Sequence, residues 1–436
     1  MQDFPNLPKS WQVKTLGEVF LIERGGSPRP IKQFLTNDEN GINWIKIGDT
    51  KNVSKYIYST AEKIKPEGKK HSRFVEVGDL ILSNSMSFGR PYIMKTTGCI
   101  HDGWVVFRNT KKLIDEEYAY YVLTSSQIYA EFSKLATGST VKNLSIDRVR
   151  QVAIPIPPLE IQRRIVKRLD EAFSRIENGT KHLKSAKDNL TKYKQSLLKS
   201  AFNGTLTQDC PLSLGKSTAE SSLRGSEATE AIHKIDCHES ANADSRNDDK
   251  DSLNGESANL PQGWTIKTLG KVCEFAYGKG LESVKRKANG KYPVYAANGI
   301  KDYSDEYMIK EPSIIVGRKG SVGSLVLTNA PCWVLDVSYY VVFDRGKYDL
   351  MFLYHLLKTL NLNQYARGVK PGLSRSQVYE LKVKVPPLET QKQIVAILER
   401  HFTSADKVSA YIESCLSKAK QLKSSLLKSA FAGELT

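Results

Sequence analysis

A chain of 436 residues is too long for one ordinary hydrophobic core and is expected to form two or three domains. Its 40% hydrophobic and 9% aromatic content is that of a globular protein. No apolar run reaches the roughly 18 residues of a membrane span, and the N-terminal MQDFPNLPKSW lacks the basic-then-apolar order of a secretory signal, so a cytoplasmic protein is expected. With 64 Lys and Arg against 47 Asp and Glu the formal charge is +17, which favours a polyanionic partner, above all nucleic acid, over a merely soluble basic protein.

The chain opens with LPKSWQVKTLGEV from Leu7. Short runs of β-forming residues follow: INWIKIG from Ile42, GDLILS from Gly78 and GWVVF from Gly103, separated by Gly, Pro and Asn. EEYAYYVLTSSQIYAEF from Glu116 predicts one helical stretch. Residues 1–153 therefore read as an α+β domain. Its Gly-rich loops ERGGSPRPIK, SNSMSFGRP and ATGSTVKNLS carry side chains suited to phosphates and base edges. Arg24, Arg29, Lys32, Ser85, Arg90, Lys142 and Asn143 are the candidate DNA contacts there. Any one of them also reads as part of a solvated turn.

Residues 154–207 read as a helical spacer. IPPLEIQRRIVKRL from Ile156 begins with a proline pair that suits a helix start. Leu169, Ile176, Leu183, Leu190 and Leu197 recur every seven residues, interleaved with Ile165, Ala172, Gly179, Ala186 and Tyr193. Sustained heptads predict a coiled-coil seam, with the small residues, Gly179 among them, allowing close approach or marking a bend. SLLKSAFNGTLT closes the segment at Thr207, with Gly204 as the stop signal. Residues 208–259 form a polar linker with 11 acidic and 5 basic residues. That net charge of −6 leaves +23 on the rest of the chain.

The same plan then recurs. LPQGWTIKTLGKV starts at Leu260, PSIIVG at Pro312, YYVVF at Tyr339, and the helical LMFLYHLLKTL at Leu350, giving a second α+β domain over 260–382. Its loops YGKG, VKRKANGK, VGRKGSVG and ARGVKPGLSRS offer Lys279, Arg286, Arg318, Lys319, Ser321, Arg367, Lys370 and Arg375 as DNA contacts. A second spacer, 383–436, starts with VPPLETQKQIVAIL and ends with SLLKSAFAGELT. Its seam is Ile394, Leu398, Ala405, Val408, Ile412, Cys415, Ala419, Leu422 and Leu426. The openers lie 253 residues apart, but the PPLE starts and the helix endings lie 229 apart, so the helices match in length and the domains do not. Each helix would run about 66 Å at 1.5 Å per residue. Antiparallel pairing with one another is expected, and packing of each helix on its own domain is the alternative. Such a rod spans between one and two DNA turns of roughly 34–36 Å, which suits a split target.

Motifs for chemistry are lacking. GxxxxGK[ST], HExxH and GxSxG do not occur. GRKGSVG from Gly317 and FAYGKG from Phe275 lack the nucleotide-binding spacings, and NAPCW from Asn329 reads as a turn before a strand. Glu380-Leu-Lys382 fits a nuclease-like ExK without an upstream acidic partner. The six cysteines form no CxxC pair and read as reduced thiols; Cys237–His238 has no second ligand pair, so no metal is expected.

Taken in order and twice over, LPKSW and LPQGW, GGSPRP with GINWIKIGD, VGDLILSNSMSFGRPYI, PSIIVGRKGSVG with LDVSYYVVF, and PPLEIQRRIV and PPLETQKQIV with the SAF-G-LT endings resemble the specificity subunit of type I restriction–modification enzymes. The resemblance spans nearly the whole chain except the linker. It implies two target recognition domains, each reading half of a bipartite DNA sequence, joined by two antiparallel helices that dock two modification subunits. It further implies that this chain needs no cofactor and is not itself catalytic. S-adenosylmethionine would serve the modification subunits, and ATP and Mg the restriction subunits. SNSMSFGRP departs from the glycine pattern of GRKGSVG, so the first domain's loop is expected to contact DNA differently, and the unlike lengths and sequences of the two domains predict an asymmetric target. The competing readings are a self-contained nuclease or methyltransferase, and a coiled-coil scaffold that binds no DNA.

Overall fold

A computed structural model describes residues 7–51, 53–84, 89–137, 143–206, 260–369 and 371–435. It divides into two compact units: unit 1 takes Met1–Lys184 with Glu413–Thr436, and unit 2 takes Ser185–Ile412. The two long helices, Leu159–Asn203 and Leu388–Phe431, each contribute residues to both units.

Unit 1 holds two mixed five-stranded sheets. In the first, Leu21–Arg24, Trp104–Arg108, Leu80–Ser83, Pro91–Met94 and Tyr56–Ile57 lie in that order, antiparallel except for the last pair. In the second, the order is Leu35–Thr36, Glu62–Ile64, Ile42–Ile45, Gly98–Ile100 and Arg73–Val75, with Ile42–Ile45 and Gly98–Ile100 parallel. Unit 2 repeats the plan with fewer strands. A four-stranded antiparallel sheet runs Glu274–Tyr277, Ser338–Val342, Ile314–Gly317, Leu325–Leu327. A three-stranded sheet runs Gly299–Ser304, Tyr292–Ala296, Trp333–Val334. The β-rich runs expected from sequence all form strands. The stretch from Glu116 does not form one helix: Ser125 adopts an extended conformation, and Glu116–Thr124 and Ser126–Leu135 are separate helices. The Ser125 hydroxyl donates to Val122 O, satisfying the last turn locally.

Each domain is closed by its own ends. Gln12–Thr15 pairs antiparallel with Ala153–Ile156, and Thr265–Thr268 with Lys382–Val385. The helix then starts directly after the closing strand. A buried glutamine in its first turn ties it back: Gln162 accepts from Asp115 N at 2.7 Å and donates to Pro157 O at 2.8 Å. Gln391 repeats this, accepting from Asp349 N at 2.9 Å and donating to Pro386 O and Lys347 O. Asp115 and Asp349 cap the short helices Glu116–Thr124 and Leu350–Thr359, so one side chain fixes both helix starts. These glutamines were not singled out from sequence, although ExQ recurs in both repeats.

The duplicated SAF-G ending has a crossed use. The first ending completes unit 2: Ala201 and Phe202 are buried with Trp264, Ile394 and Leu398, and the Phe202 ring packs on Phe352 at 5.2 Å. The second completes unit 1: Ala430 and Phe431 join Trp11, Ile165 and Leu169, and Phe431 packs on Tyr118 at 5.7 Å. The glycines are required by both backbone and contact. Gly204 has φ +88° and Gly433 φ +82°. A Cβ at Gly204 would lie 2.5 Å from Pro261 Cγ, and one at Gly433 2.5 Å from Pro8 Cδ. The LP of each opener is thus the seat for the helix ending written in the other repeat.

Within each unit the helices run antiparallel. In unit 1, Arg168 Nη1 donates to Leu435 O at 3.0 Å and Lys423 pairs with Glu177 at 2.7 Å. In unit 2, Tyr193 OH lies 2.8 Å from His401 Nδ1, and Lys194 pairs with Asp406. The helices pack on each other and also on the domains, so the two expected arrangements coexist. Leu169, Leu190, Leu398, Ala405 and Ile412 are buried. Ile176, Leu183, Leu197, Ala419 and Leu426 are half-buried. Three expected positions differ. Leu422 is 50% exposed while Leu427 is buried in the core of unit 1. Ala186 is exposed. An added Cβ at Gly179 would meet nothing within 4 Å, so that glycine serves no close approach.

Candidate nucleic-acid interface

In unit 2 the sheet register gathers the candidate residues around one exposed tyrosine. Tyr277 ends its strand opposite Tyr339, and Gly317 ends the next but one opposite Ser338. Backbone approaches closely at each strand end: a Cβ on Gly278 would lie 2.2 Å from Leu335 O, and one on Gly317 1.9 Å from Ser321 O. The GRKGSVG loop closes on itself through Gly323 N donating to Gly317 O at 2.8 Å. The hairpin of Ala366–Arg367 and Gly372–Leu373 is pinned to this loop. Leu373 N donates to Arg318 O at 3.1 Å, and Lys319 bridges Gly372.

Two guanidiniums face Tyr277. Arg318 Cζ lies 5.1 Å from the ring centroid and its Nη1 donates to Asp336 O at 2.8 Å. Arg375, the first residue of the helix Arg375–Tyr379, lies 4.9 Å from the same centroid and donates to Phe275 O at 3.0 Å. The Tyr379 hydroxyl accepts from Phe275 N at 2.6 Å, which steadies that strand. Burial pushes the Tyr339 phenol up to about 12, and the neighbouring Tyr277 hydroxyl adds to this against the two arginines. Tyr339 is therefore neutral at physiological pH.

Unit 1 carries other side chains at the corresponding places. Val105 opposes Arg24 and Trp104 opposes Ser83, so Arg24 stands where unit 2 has Tyr277, and Asn84 where it has Arg318. The loop-to-hairpin tie persists with a different atom: Leu144 N donates to Asn84 Oδ1 at 2.8 Å. Arg24 Nε donates to Asp102 O at 3.2 Å, and Arg29 pairs with the Asp102 carboxylate at 3.5 Å. Burial works to raise the Asp102 carboxyl, but the Ser27 hydroxyl, His101 and Arg29 together hold it below the usual range. Burial lowers His101, with Asp102 opposing.

The remaining candidates are more scattered. Lys32, Arg90, Lys279, Lys319, Ser321 and Arg367 are exposed. Arg367 lies in the pinned hairpin. Arg286 is folded back on Leu281 O, with donors at 2.7 and 3.0 Å, and faces Asp302 at 4.0 Å. Asn143 is placed by its backbone in the strand Asn143–Leu144. Ser85, Lys142 and Lys370 lie outside the described residues, as do Cys237, His238 and the linker 208–259. Tyr277, Tyr339 and Asp102 were not among the sequence candidates; the available signal was the aromatic residue heading the YGKG loop. Among the described residues no cluster of three His, Cys, Asp or Glu is placed to hold a metal ion, and no helix is long and apolar enough to cross a membrane. Cys99, Cys273, Cys332 and Cys415 are free thiols. Burial pushes Cys273 up to about 12 and Cys332 up to about 11, so neither is a reactive thiolate.

Comparison with known proteins adds to this geometry. Residues 8–185 and 261–413 match the family model described as type I restriction modification DNA specificity domain. The type I restriction enzyme EcoDI specificity subunit of Escherichia coli is 22% identical over 451 residues, covering 99% of this chain and 90% of the relative. The StySPI specificity subunit of Salmonella potsdam is 21% identical, with the same coverage. Among solved structures, a chain from work on complex assembly and conformational transition of the type I R-M system matches with TM-score 0.74 and 18% identity, covering 98% of this chain and 99% of that one. The HsdS subunit from Thermoanaerobacter tengcongensis matches with TM-score 0.60 and 18% identity over the whole of both chains. At these identities the structures establish likeness of fold.

Proposed function

The chain belongs to the type I restriction modification DNA specificity family, whose members recognise DNA sequence, and on that premise we propose that it reads an asymmetric, bipartite target as the non-catalytic subunit of a type I complex. Residues 1–153 and 260–382 each read one half-site. The helical segments 154–207 and 383–436 set the gap and dock two modification subunits, with restriction subunits joining the complex. Methyl transfer from S-adenosylmethionine then belongs to the modification subunits, and ATP- and Mg-dependent work to the restriction subunits. The observation that carries this reading is one backbone plan present twice with different side chains at matched loop positions, Arg24 against Tyr277 and Asn84 against Arg318. Matched scaffolds with unmatched loops suit two half-sites of different sequence. The +17 charge suits a phosphate backbone.

The test is a genome-wide map of adenine methylation in the source cell with and without this gene. Loss of methylation at one split, asymmetric motif is the expected result. A palindromic or continuous motif would refute the two-reader assignment, and unchanged methylation together with no DNA binding by the purified chain would refute the DNA-reading role.

A further inference from the structure

We propose that Arg318 and Arg375, both held against Tyr277, form a two-pronged guanine-reading clamp in unit 2, with Tyr277 as the residue that positions both. The inference rests on the DNA-reading role proposed above and assigns the chemistry of one half-site.

The two arginines differ from the other paired cations of the chain. Arg108 is neutralised by Glu23 and Asp79, and Lys55 by Glu117 and Asp170. Arg318 and Arg375 instead donate to the main-chain oxygens of Asp336 and Phe275. Among the described residues neither has a carboxylate within ion-pairing distance. Two like charges beside one ring are unfavourable unless an acceptor arrives between or before them, and a polyanion supplies it. The ring and the carbonyl together fix each guanidinium plane. A guanidinium carries five N–H donors in a rigid fork. With one Nη1 donor held, the Nε and Nη2 edge stays available as a parallel pair. That pair matches the O6 and N7 acceptors of guanine in the major groove.

The loop geometry favours reading over loose charge. Arg318 is pinned at three points: its N donates to Val337 O at 3.0 Å, its O accepts from Leu373 N, and its Nη1 bonds Asp336 O. Arg375 begins a helix whose Tyr379 is bonded to the same strand that ends in Tyr277. Rigid placement of this kind is what base discrimination needs and what phosphate contact does not. Because the two Cζ atoms lie 4.9 and 5.1 Å from one centroid, they are at most about 10 Å apart. At roughly 3.4 Å per base step, the two guanines fall within about three steps of each other, on either strand.

The experiment is a selection from a randomised DNA duplex library by the full chain, comparing the parent with Arg318→Lys, Arg375→Lys, Tyr277→Leu and Tyr277→Phe. Lysine keeps the charge and loses the fork. The expected result is a parent motif with two guanines within three base steps in one half-site. Each lysine variant loses about 10- to 100-fold preference for one of them, the discrimination of a good bidentate pair, while its salt dependence of binding is unchanged. Tyr277→Leu loses both preferences and Tyr277→Phe keeps both. Lysine variants that retain every base preference would show phosphate contact only and overturn the clamp, as would a parent half-site without guanine or a Tyr277→Leu variant with an unaltered motif. A parent that enriches no motif at all refutes the DNA-reading role itself, and the clamp with it.

Discussion

Gly179 within the first long helix and Gly204 just past its end should respond to alanine with opposite signs. At Gly204 the backbone has φ +88°, a conformation that costs an L-residue roughly 1–2 kcal/mol. The new Cβ would also lie 2.5 Å from Pro261 Cγ and 3.0 Å from its Cδ. The proline ring cannot swing aside as a flexible side chain would, so the helix end must shift, at about 1–3 kcal/mol for overpacking. Gly204→Ala should therefore destabilise unit 2 by about 2–5 kcal/mol. At Gly179 an added methyl meets nothing within 4 Å, and the only change is better helix propensity. Gly179→Ala should stabilise unit 1 by about 0.5–1 kcal/mol. Hydrogen exchange of the full chain over a urea series, read on peptides from each unit, separates the two effects without assuming a single unfolding step. Adding Pro261→Ala to Gly204→Ala should restore the overpacking part and leave the backbone part. A Gly204→Ala variant as stable as the parent would refute the claim that this ending is seated on the opener proline.

Gln391→Leu should cost unit 2 about 2–4 kcal/mol: it leaves the buried Pro386 O unmet at roughly 1–3 kcal/mol, and the part-buried Asp349 N–H and Lys347 O, which water can reach, add only a fraction of that each; the same exchange measurement checks it, and a loss below that of an ordinary surface change would contradict it. His355 packs between Tyr354 and Phe402 with both ring nitrogens unpartnered among the described residues, and burial first, then Lys358, lowers it to about 4, with Asp349 opposing. Its folded value lies below its ordinary 6.5, so the unfolded chain takes up the proton first. Its contribution is full above pH 6.5 and falls away as the pH drops toward 4, by up to about 2–3 kcal/mol. His355→Leu should flatten the pH dependence of unit 2 stability in that window, and an unchanged slope would exclude His355 as its source. Lys319→Ala removes an exposed cation beside the pinned hairpin; it should weaken DNA binding equally on all sequences and reduce the salt slope by about one, as a filter-binding series in salt would show.

Much of this was legible in the chain itself, because periodicity and turn chemistry are local. Two copies of one plan, the β-rich runs, the proline starts and glycine stops of the long helices, and most seam residues follow from spacing that any window of the sequence displays. The two arginines of the clamp were also visible, as basic residues in Gly-rich loops. What no window could show is which distant segments meet. That the first SAF-G ending serves the second LPxxW opener, and the second ending the first, depends on a path through both units. That Gly179 and Gly204, identical in type and 25 residues apart, one inside the first long helix and one just past its end, face open space and a proline ring respectively is a matter of surroundings. Tyr277 gained its role only when the sheet register set it beside residues 41 and 98 positions further along. Sequence pattern determines which elements form; the burial, charge and contacts around each side chain are decided only when those elements pack.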